Sequence, residues 1–415
     1  MPYVTRLRCT RCGKLYSPED RLFTCKEDEG RLDVEYDYDL MATKVSREGF
    51  KRRRGGLWKY HELLPIENER NIITLGEVQT PLIRCKNLGK ILGMRKLYLK
   101  DETKNPTASF KDRPMTVGVS KAVELGFNTT ASASSGNAAA ALAAYSANAG
   151  LTCYTFVPEK ASPGKIAQLN MFGAHVVRLR GLESGVDPTF AMLRLVCQRF
   201  GWYPCPSAGP FNPYQAEGPK TMSYEIAEQL GWTHPDWVFA GVGGGGLLAG
   251  NWKGYRELKR LGLTDGWPRM VAVQSTGCAP LVRAFEEKMD PCKIVPWEHP
   301  DSVATGLMDP FPWDGDAALK ALHESSGTAV KVTNGEILES QRLLAKSEGI
   351  FAEPSGVAVL AGLARLKDQG TIAGDDCVVI EITGSGLKDL SVIGSADAPL
   401  IDPDIESLQK VVSLK

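Results

Sequence analysis

At 415 residues, with 49 Lys plus Arg set against 49 Asp plus Glu, the chain has zero formal charge, which removes the electrostatic argument for nucleic acid or an anionic membrane as a partner. Its hydrophobic content of 43% and charged content of 24% are those of an ordinary globular protein. No apolar run approaches the roughly 20 residues needed to span a bilayer.

Residues 1–35 read as a separate unit with Cys9-x-x-Cys12, then Cys25, ending in the alternating Leu32-Asp33-Val34-Glu35-Tyr36. Two CxxC pairs about a dozen residues apart would mark a zinc ribbon. Here Asp28 stands where the fourth cysteine is expected, and loss of one sulfur ligand more often marks a metal-free knuckle. Zinc on Cys9, Cys12 and Cys25 is therefore the less favoured expectation. The opening MPYVTRLRCT has no apolar signal core, and seven of the ten cysteines are scattered singly, as reduced thiols are. The expected location is cytoplasmic.

A polar arm over 36–80 holds Lys51-Arg52-Arg53-Arg54, read as a solvated turn ahead of Gly55-Gly56, and a short helical stretch near Leu57–Leu64. Strand-like and helix-like segments then alternate. Lys96–Lys100 has period two, Ala138–Ala149 is an Ala-rich helix, and 151–157 and 175–179 read as strands around a helix at 166–172. Trp237–Val242, Met270–Gln274 and Cys377–Glu381 are buried-strand candidates, and Gly356–Leu366 is a helix. Such alternation predicts an α/β fold of parallel sheets covered by helices on both faces.

Five histidines, at positions 61, 175, 234, 299 and 323, offer no pair four residues apart, so histidine-metal and Ser-His-Asp hydrolase chemistry gain little support. The informative segment is Asn105-Pro106-Thr107-Ala108-Ser109-Phe110-Lys111-Asp112-Arg113. Small and hydroxyl residues lead into a lysine at a predicted helix start, where the dipole favours a neutral, nucleophilic amine. A lysine at such a junction is ordinarily a surface residue, but two further motifs argue otherwise. Ser134-Ser135-Gly136-Asn137 precedes the Ala-rich helix and makes a carboxylate cradle, although an N-cap alone would explain it. Gly243-Gly244-Gly245-Gly246-Leu247 follows a strand and exposes N–H groups to a phosphate. It lacks the GxGxxG spacing of a dinucleotide site.

In this order the motifs resemble those of fold type II pyridoxal 5'-phosphate (PLP) enzymes, and the threonine synthase family most closely. The lysine motif is similar to that family's N-P-T-x-S-F-K-D-R, and Ser135-Gly136-Asn137 to its S/T-G-N. Asn212-Pro213-Tyr214 with Glu217-Gly218-Pro219-Lys220-Thr221, Phe351-Ala352-Glu353-Pro354-Ser355 and Thr383-Gly384-Ser385-Gly386-Leu387-Lys388-Asp389 complete the set. The resemblance implies two open parallel-sheet domains with PLP between them, a small amino acid as substrate, and commonly a homodimer. It implies that Lys111 bonds to the cofactor and later moves the Cα proton, and that Phe110 packs beside the cofactor ring. Asn137 would hydrogen-bond the phenolic oxygen, Gly243, Gly244, Gly245, Gly246 and Leu247 would hold the phosphate, and Thr383 would face the pyridine nitrogen. A hydroxyl there leaves the nitrogen largely unprotonated, which favours elimination over transamination. Ser134, Ser135 and Gly136 would hold the substrate carboxylate, with Thr305-Gly306 on the other wall.

The chain departs from the family where a phosphorylated substrate is gripped. The usual Thr after S/T-G-N, the Asn-Ser pair and the Arg of N-P-x-R read here as Ala138, Gly209-Pro210 and Gln215. A phosphate needs charge-assisted donors, which Lys104, Arg113 or Lys220 would have to replace, although Arg113 reads as structural. Three activities stay open: threonine synthesis from O-phosphohomoserine, a serine/threonine-type dehydratase, and β-replacement. A binding or regulatory module on the same fold is opposed by the intact Lys111 and glycine loop. The expected division is a knuckle over 1–35, an arm over 36–80, a large PLP-binding domain from 80–117 plus 211–400, a small mobile domain over 118–210, and a tail over 401–415.

Overall fold

A computed structural model describes residues 3–181, 187–390 and 398–411; the parts of the expected small domain, large domain and tail that fall at 182–186, 391–397 and 412–415 lie outside the described residues. Three sheets organise the described residues. The first is N-terminal and antiparallel, with β1 (Val4–Cys9) between β2 (Leu15–Tyr16) and β3 (Leu32–Tyr36). Leu32, Val34 and Tyr36 of β3 are buried while Asp33 and Glu35 are less so, as period two requires of a sheet with one packed face. That face rests on the rest of the protein: the Tyr36 hydroxyl donates to Glu217 at 2.8 Å, and Lys253 donates to Asp33 at 2.7 Å and to the Val34 carbonyl at 2.7 Å.

The large sheet runs β12 (Thr328–Val332), β11 (Arg269–Ser275), β10 (Trp237–Gly241), β13 (Cys377–Ile382), β5 (Lys96–Asp101), β4 (Leu82–Arg84). All neighbours are parallel except the edge pair β4–β5. Val238, Phe239, Ala240, Val271, Val379 and Ile380 are inaccessible to solvent, which is why these strands read as continuous apolar runs. The third sheet is parallel, in the order β8 (His175–Leu179), β7 (Thr152–Pro158), β6 (Thr129–Ser132), β9 (Tyr203–Pro204). The helix Asp112–Glu124 leads from the large sheet toward this smaller one and spans the expected seam at 117–118. Among the described residues no helix is long and apolar enough to cross a membrane.

Parallel sheets place their ligand crevice at the carboxyl ends of the strands. Three adjacent strands of the large sheet, β10, β13 and β5, end in the glycine loop, Thr383 and the Lys111 segment respectively. In the smaller sheet β6 ends just before Ser134–Asn137 and β9 just before Ser207.

Candidate active site

Lys111 caps the helix Asp112–Glu124 at the end of a loop that is fixed at several points. Phe110 N–H donates to the Thr383 carbonyl at 2.8 Å, and Ser385 N–H donates to the Ala108 carbonyl at 3.0 Å. Ala108 takes a left-handed φ of 61°, a turn that a small residue tolerates best. Two residues past the lysine, the buried Arg113 guanidinium donates to Glu102, Glu225, Thr80 and Thr221 over 2.7–3.0 Å. A charge this deep persists only when paired, so the pairing fixes the lysine's backbone.

The Lys111 amine donates to the Ser207 hydroxyl at 2.7 Å and lies 4.7 Å from the Phe110 ring centroid. Burial pushes it down to about 8, against the opposing pull of Asp314, Asp309 and Glu353. A nucleophilic amine needs that neutral fraction near neutral pH. Phe110, Lys111, Gly246 and Leu247 line one cavity together with Ser207 and Asp314.

The end of the glycine loop, Gly246 and Leu247, lines this cavity, and the preceding glycines lead into it. Gly245 has φ of 95°, and a Cβ on Gly243 would sit 2.6 Å from the Gly306 carbonyl oxygen, so larger residues are excluded at both. The helix Gly246–Arg260 starts here, and its first N–H groups lack intrahelical partners. Two carboxyls flank the loop: Cβ atoms on Gly244 and Gly246 would lie 3.2 Å from Asp309 Oδ2 and 3.0 Å from Asp314 Oδ2. Burial pushes Asp309 up to about 7 and Asp314 up to about 6.

Across the cleft, Gly136 N–H donates to the Ser134 hydroxyl at 3.2 Å, and the helix Asn137–Asn148 begins. Asn137 Nδ2 donates to Glu353 Oε1 at 2.9 Å, whose own N–H donates to the Gly384 carbonyl at 3.0 Å, beside the buried Thr383. Ser135 is half-buried in the same turn. Cys9, Cys12 and Cys25 are not part of this cluster; they gather with Asp28 in the N-terminal sheet.

Of the three cations expected to replace a phosphate clamp, two are committed elsewhere. Arg113 is held as above, and Lys220 is buried against Glu217 at 2.7 Å and Glu257 at 3.1 Å. Lys104 is largely exposed, 3.8 Å from Asp101. Gln215 is also occupied: its Oε1 accepts from Ser207 N–H at 3.1 Å and its Nε2 donates to the Ala208 carbonyl at 3.1 Å. Two other lysines contact segments next to the site motifs: Lys165, 3.5 Å from the Thr305 hydroxyl, and Lys388, which donates to the Thr107 carbonyl at 2.8 Å. Sequence reasoning missed Ser207, Asp309, Asp314 and both lysines as site residues. Only Lys165, after Ser162-Pro163-Gly164 at a helix start, carried a local signal.

Residues 73–384 match the family model described as pyridoxal-phosphate dependent enzyme. Over 408 residues the chain is 40% identical to the threonine synthase of Methanocaldococcus jannaschii, covering 98% of each chain. The chain belongs to the threonine synthase family of PLP-dependent enzymes. The threonine synthase of Methanosarcina acetivorans is 42% identical over 409 residues, again with 98% of each chain covered. The solved threonine deaminase isoform 2 from Solanum lycopersicum shares the fold, at a TM-score of 0.62 and 22% identity over 80% of this chain and 82% of that one.

As a family member the protein is a PLP-dependent carbon–oxygen lyase. The site suits the cofactor. Lys111 shares its cavity with Gly246 and Leu247, the end of a glycine loop that leaves no room for a side chain at Gly243 and runs into a helix N-terminus, the place where backbone favours a phosphate.

Proposed function

We propose that the enzyme converts O-phosphohomoserine and one water to threonine and phosphate, acting in the cytoplasm as a homodimer. The observation that carries this reading is the relation to the threonine synthase of M. jannaschii, which covers 98% of both chains at 40% identity. Bound PLP supplies an electron sink for negative charge at the substrate Cα. The chain's residues supply the rest. Lys111, neutral in part near pH 8, carries the Cα proton away and returns it. Gly243 to Leu247 hold the cofactor phosphate, with Asp309 and Asp314 protonated in part beside it. Phe110 packs against the ring, and Thr383 faces its nitrogen without a charge.

Ser134, Ser135 and Gly136, at the start of a helix, orient the substrate carboxylate. Asn137 and Glu353 fix the ring's oxygen side. Lys165 and Lys388, from opposite walls, receive the substrate phosphate. The unit built on the four-stranded sheet closes over the cleft and excludes bulk water, keeping only the molecule that supplies the hydroxyl of threonine.

Loss of one charge-assisted bond costs about 1.5–3 kcal/mol, so Lys165→Ala is expected to raise KM for O-phosphohomoserine by about 10- to 100-fold. Cofactor loading should be unchanged. An unaltered KM would remove Lys165 from the phosphate clamp. One observation favours a second reading. With Gln215 occupied and Ala138 apolar and buried, an unphosphorylated serine or threonine would fit the same Lys111 chemistry, as a dehydratase or a β-replacement enzyme.

A further inference from the structure

The N-terminal sheet contains a second constellation that the reaction does not use. The sulfurs of Cys9, Cys12 and Cys25 and a carboxylate oxygen of Asp28 all lie within 4.8 Å of one another. They come from two turns, 9–12 between β1 and β2 and 25–28 before β3, so the antiparallel pairing of β1 with its neighbours brings them together. A metal about 2.3 Å from each thiolate in a tetrahedral site sets the sulfurs about 3.8 Å apart. The Cys12 and Cys25 sulfurs are 3.7 Å apart, and the Cys9 sulfur is 3.3 Å and 3.6 Å from the two Asp28 oxygens.

The surroundings are those of a ligand set as well. Backbone N–H groups of Arg11 and Cys12 point at the Cys9 sulfur at 3.4 Å and 3.5 Å, and the Tyr16 hydroxyl lies 3.1 Å from the Cys25 sulfur. Donors of this kind orient thiolate ligands in metal sites. Gly30 N–H donates to Asp28 Oδ1 at 2.9 Å, which leaves Oδ2 for an ion. A Cβ on Gly30 would come 2.8 Å from both Asp28 Oδ1 and the Cys9 sulfur, so only glycine lets the turn close this tightly.

We propose that Cys9, Cys12, Cys25 and Asp28 bind one thiophilic divalent cation, zinc by chemistry, with the aspartate as fourth ligand. Three thiolates and one carboxylate in tetrahedral array suit zinc among the common cations. The absence of a fourth cysteine, which weighed against metal in the sequence, is met by a carboxylate at ligand distance.

The site also has a physical route to the cofactor loop. Arg31 follows Gly30, and its carbonyl accepts from Thr10 N–H at 2.9 Å, between the two ligand turns. Its side chain lies 3.9 Å from Asp316, and Thr10 donates to the same carboxylate at 3.3 Å. Asp314, two residues earlier, donates its N–H to the Gly244 carbonyl at 2.7 Å and accepts from Gly209 N–H at 3.1 Å. The metal therefore fixes the turns that hold the start of helix Gly315–Glu324, whose N-cap Asp314 bonds the glycine loop.

The test uses reduced holoenzyme purified from zinc-supplemented medium. Elemental analysis should give one zinc per chain, and cobalt exchange should give thiolate-to-cobalt absorption that is lost in Cys12→Ser. Asp28→Ala and Gly30→Ala should each lower the metal content at least five-fold, the latter without removing a ligand. Chelation should speed PLP loss several-fold. Zinc below a tenth of an equivalent, or cobalt absorption unchanged by Cys12→Ser, would overturn the site. PLP retention unchanged after metal removal would overturn its bracing role. None of these readouts depends on which substrate the enzyme accepts.

Discussion

Replacing Arg113 by methionine tests how the fold holds the catalytic lysine. The guanidinium makes six hydrogen bonds in the interior, four of them to the carboxylates of Glu102 and Glu225. Glu225 would keep Lys100 at 2.7 Å, but Glu102 would keep only neutral donors, the Thr80 hydroxyl at 2.6 Å and the Asn105 amide at 2.8 Å. Breaking a buried pair by removing one partner costs about 3–5 kcal/mol, and the upper half of that range applies because one carboxylate loses its hydrogen-bonded cation. In the wild type burial pushes both carboxyls up, but Arg113 more than offsets this and holds Glu225 down to about 2 and Glu102 below its ordinary value. Their contribution is present above the usual carboxylate range and is lost as pH falls through the depressed values. The Arg113→Met deficit should therefore be about 4 kcal/mol from pH 7 down to about pH 4.5, and should shrink only as pH falls from there toward 2. Urea unfolding of the apoenzyme, followed by tryptophan fluorescence, measures both. A deficit below about 1 kcal/mol, or one independent of pH, would refute the reasoning.

Capture of PLP by the apoenzyme should speed up about tenfold per pH unit below 8 and level off above it, because burial lowers the Lys111 amine to about 8. A rate still rising at pH 10 in stopped-flow absorbance would mean an ordinary lysine. Ser207→Ala removes the hydroxyl 2.7 Å from that amine and should slow capture by about 5- to 10-fold, a loss of about 1–1.4 kcal/mol, with global stability little changed. Gly243→Ala places a methyl 2.6 Å from the Gly306 carbonyl; PLP affinity by equilibrium dialysis should fall at least tenfold, and an unchanged affinity would mean that the loop is not tightly built.

Much of the architecture was legible because its signals are local. The β8 segment His175–Leu179 has the bounds its pattern predicts, and the Ala-rich helix begins one residue earlier than expected, at Asn137. Buried parallel strands such as Trp237–Gly241 are uninterrupted apolar runs, and the lysine and glycine-loop motifs each sit on one continuous segment. The edge strand Leu82–Arg84 is only three residues long, too short for a period to show. The helix Asn334–Glu348 carried a readable signal, since Thr333 and Glu336 form a capping box. Ser207, Asp309 and Asp314 were hidden for another reason. They reach the lysine from the ends of different elements, and nothing in their local sequence marks that convergence. Asp28 was legible by its spacing, at the place of a fourth ligand, and the pairing of β1 with β3 brings its turn to that of Cys9 and Cys12.

The most direct test of the proposed reaction offers O-phosphohomoserine, threonine and serine separately to the PLP-loaded enzyme and accounts for every product. Phosphate and threonine should form together, in equal amounts and from O-phosphohomoserine alone, with Lys111→Ala inactive. A 2-oxo acid from threonine or serine, with no phosphate released from O-phosphohomoserine, would contradict the account and assign the Lys111 site to a dehydratase.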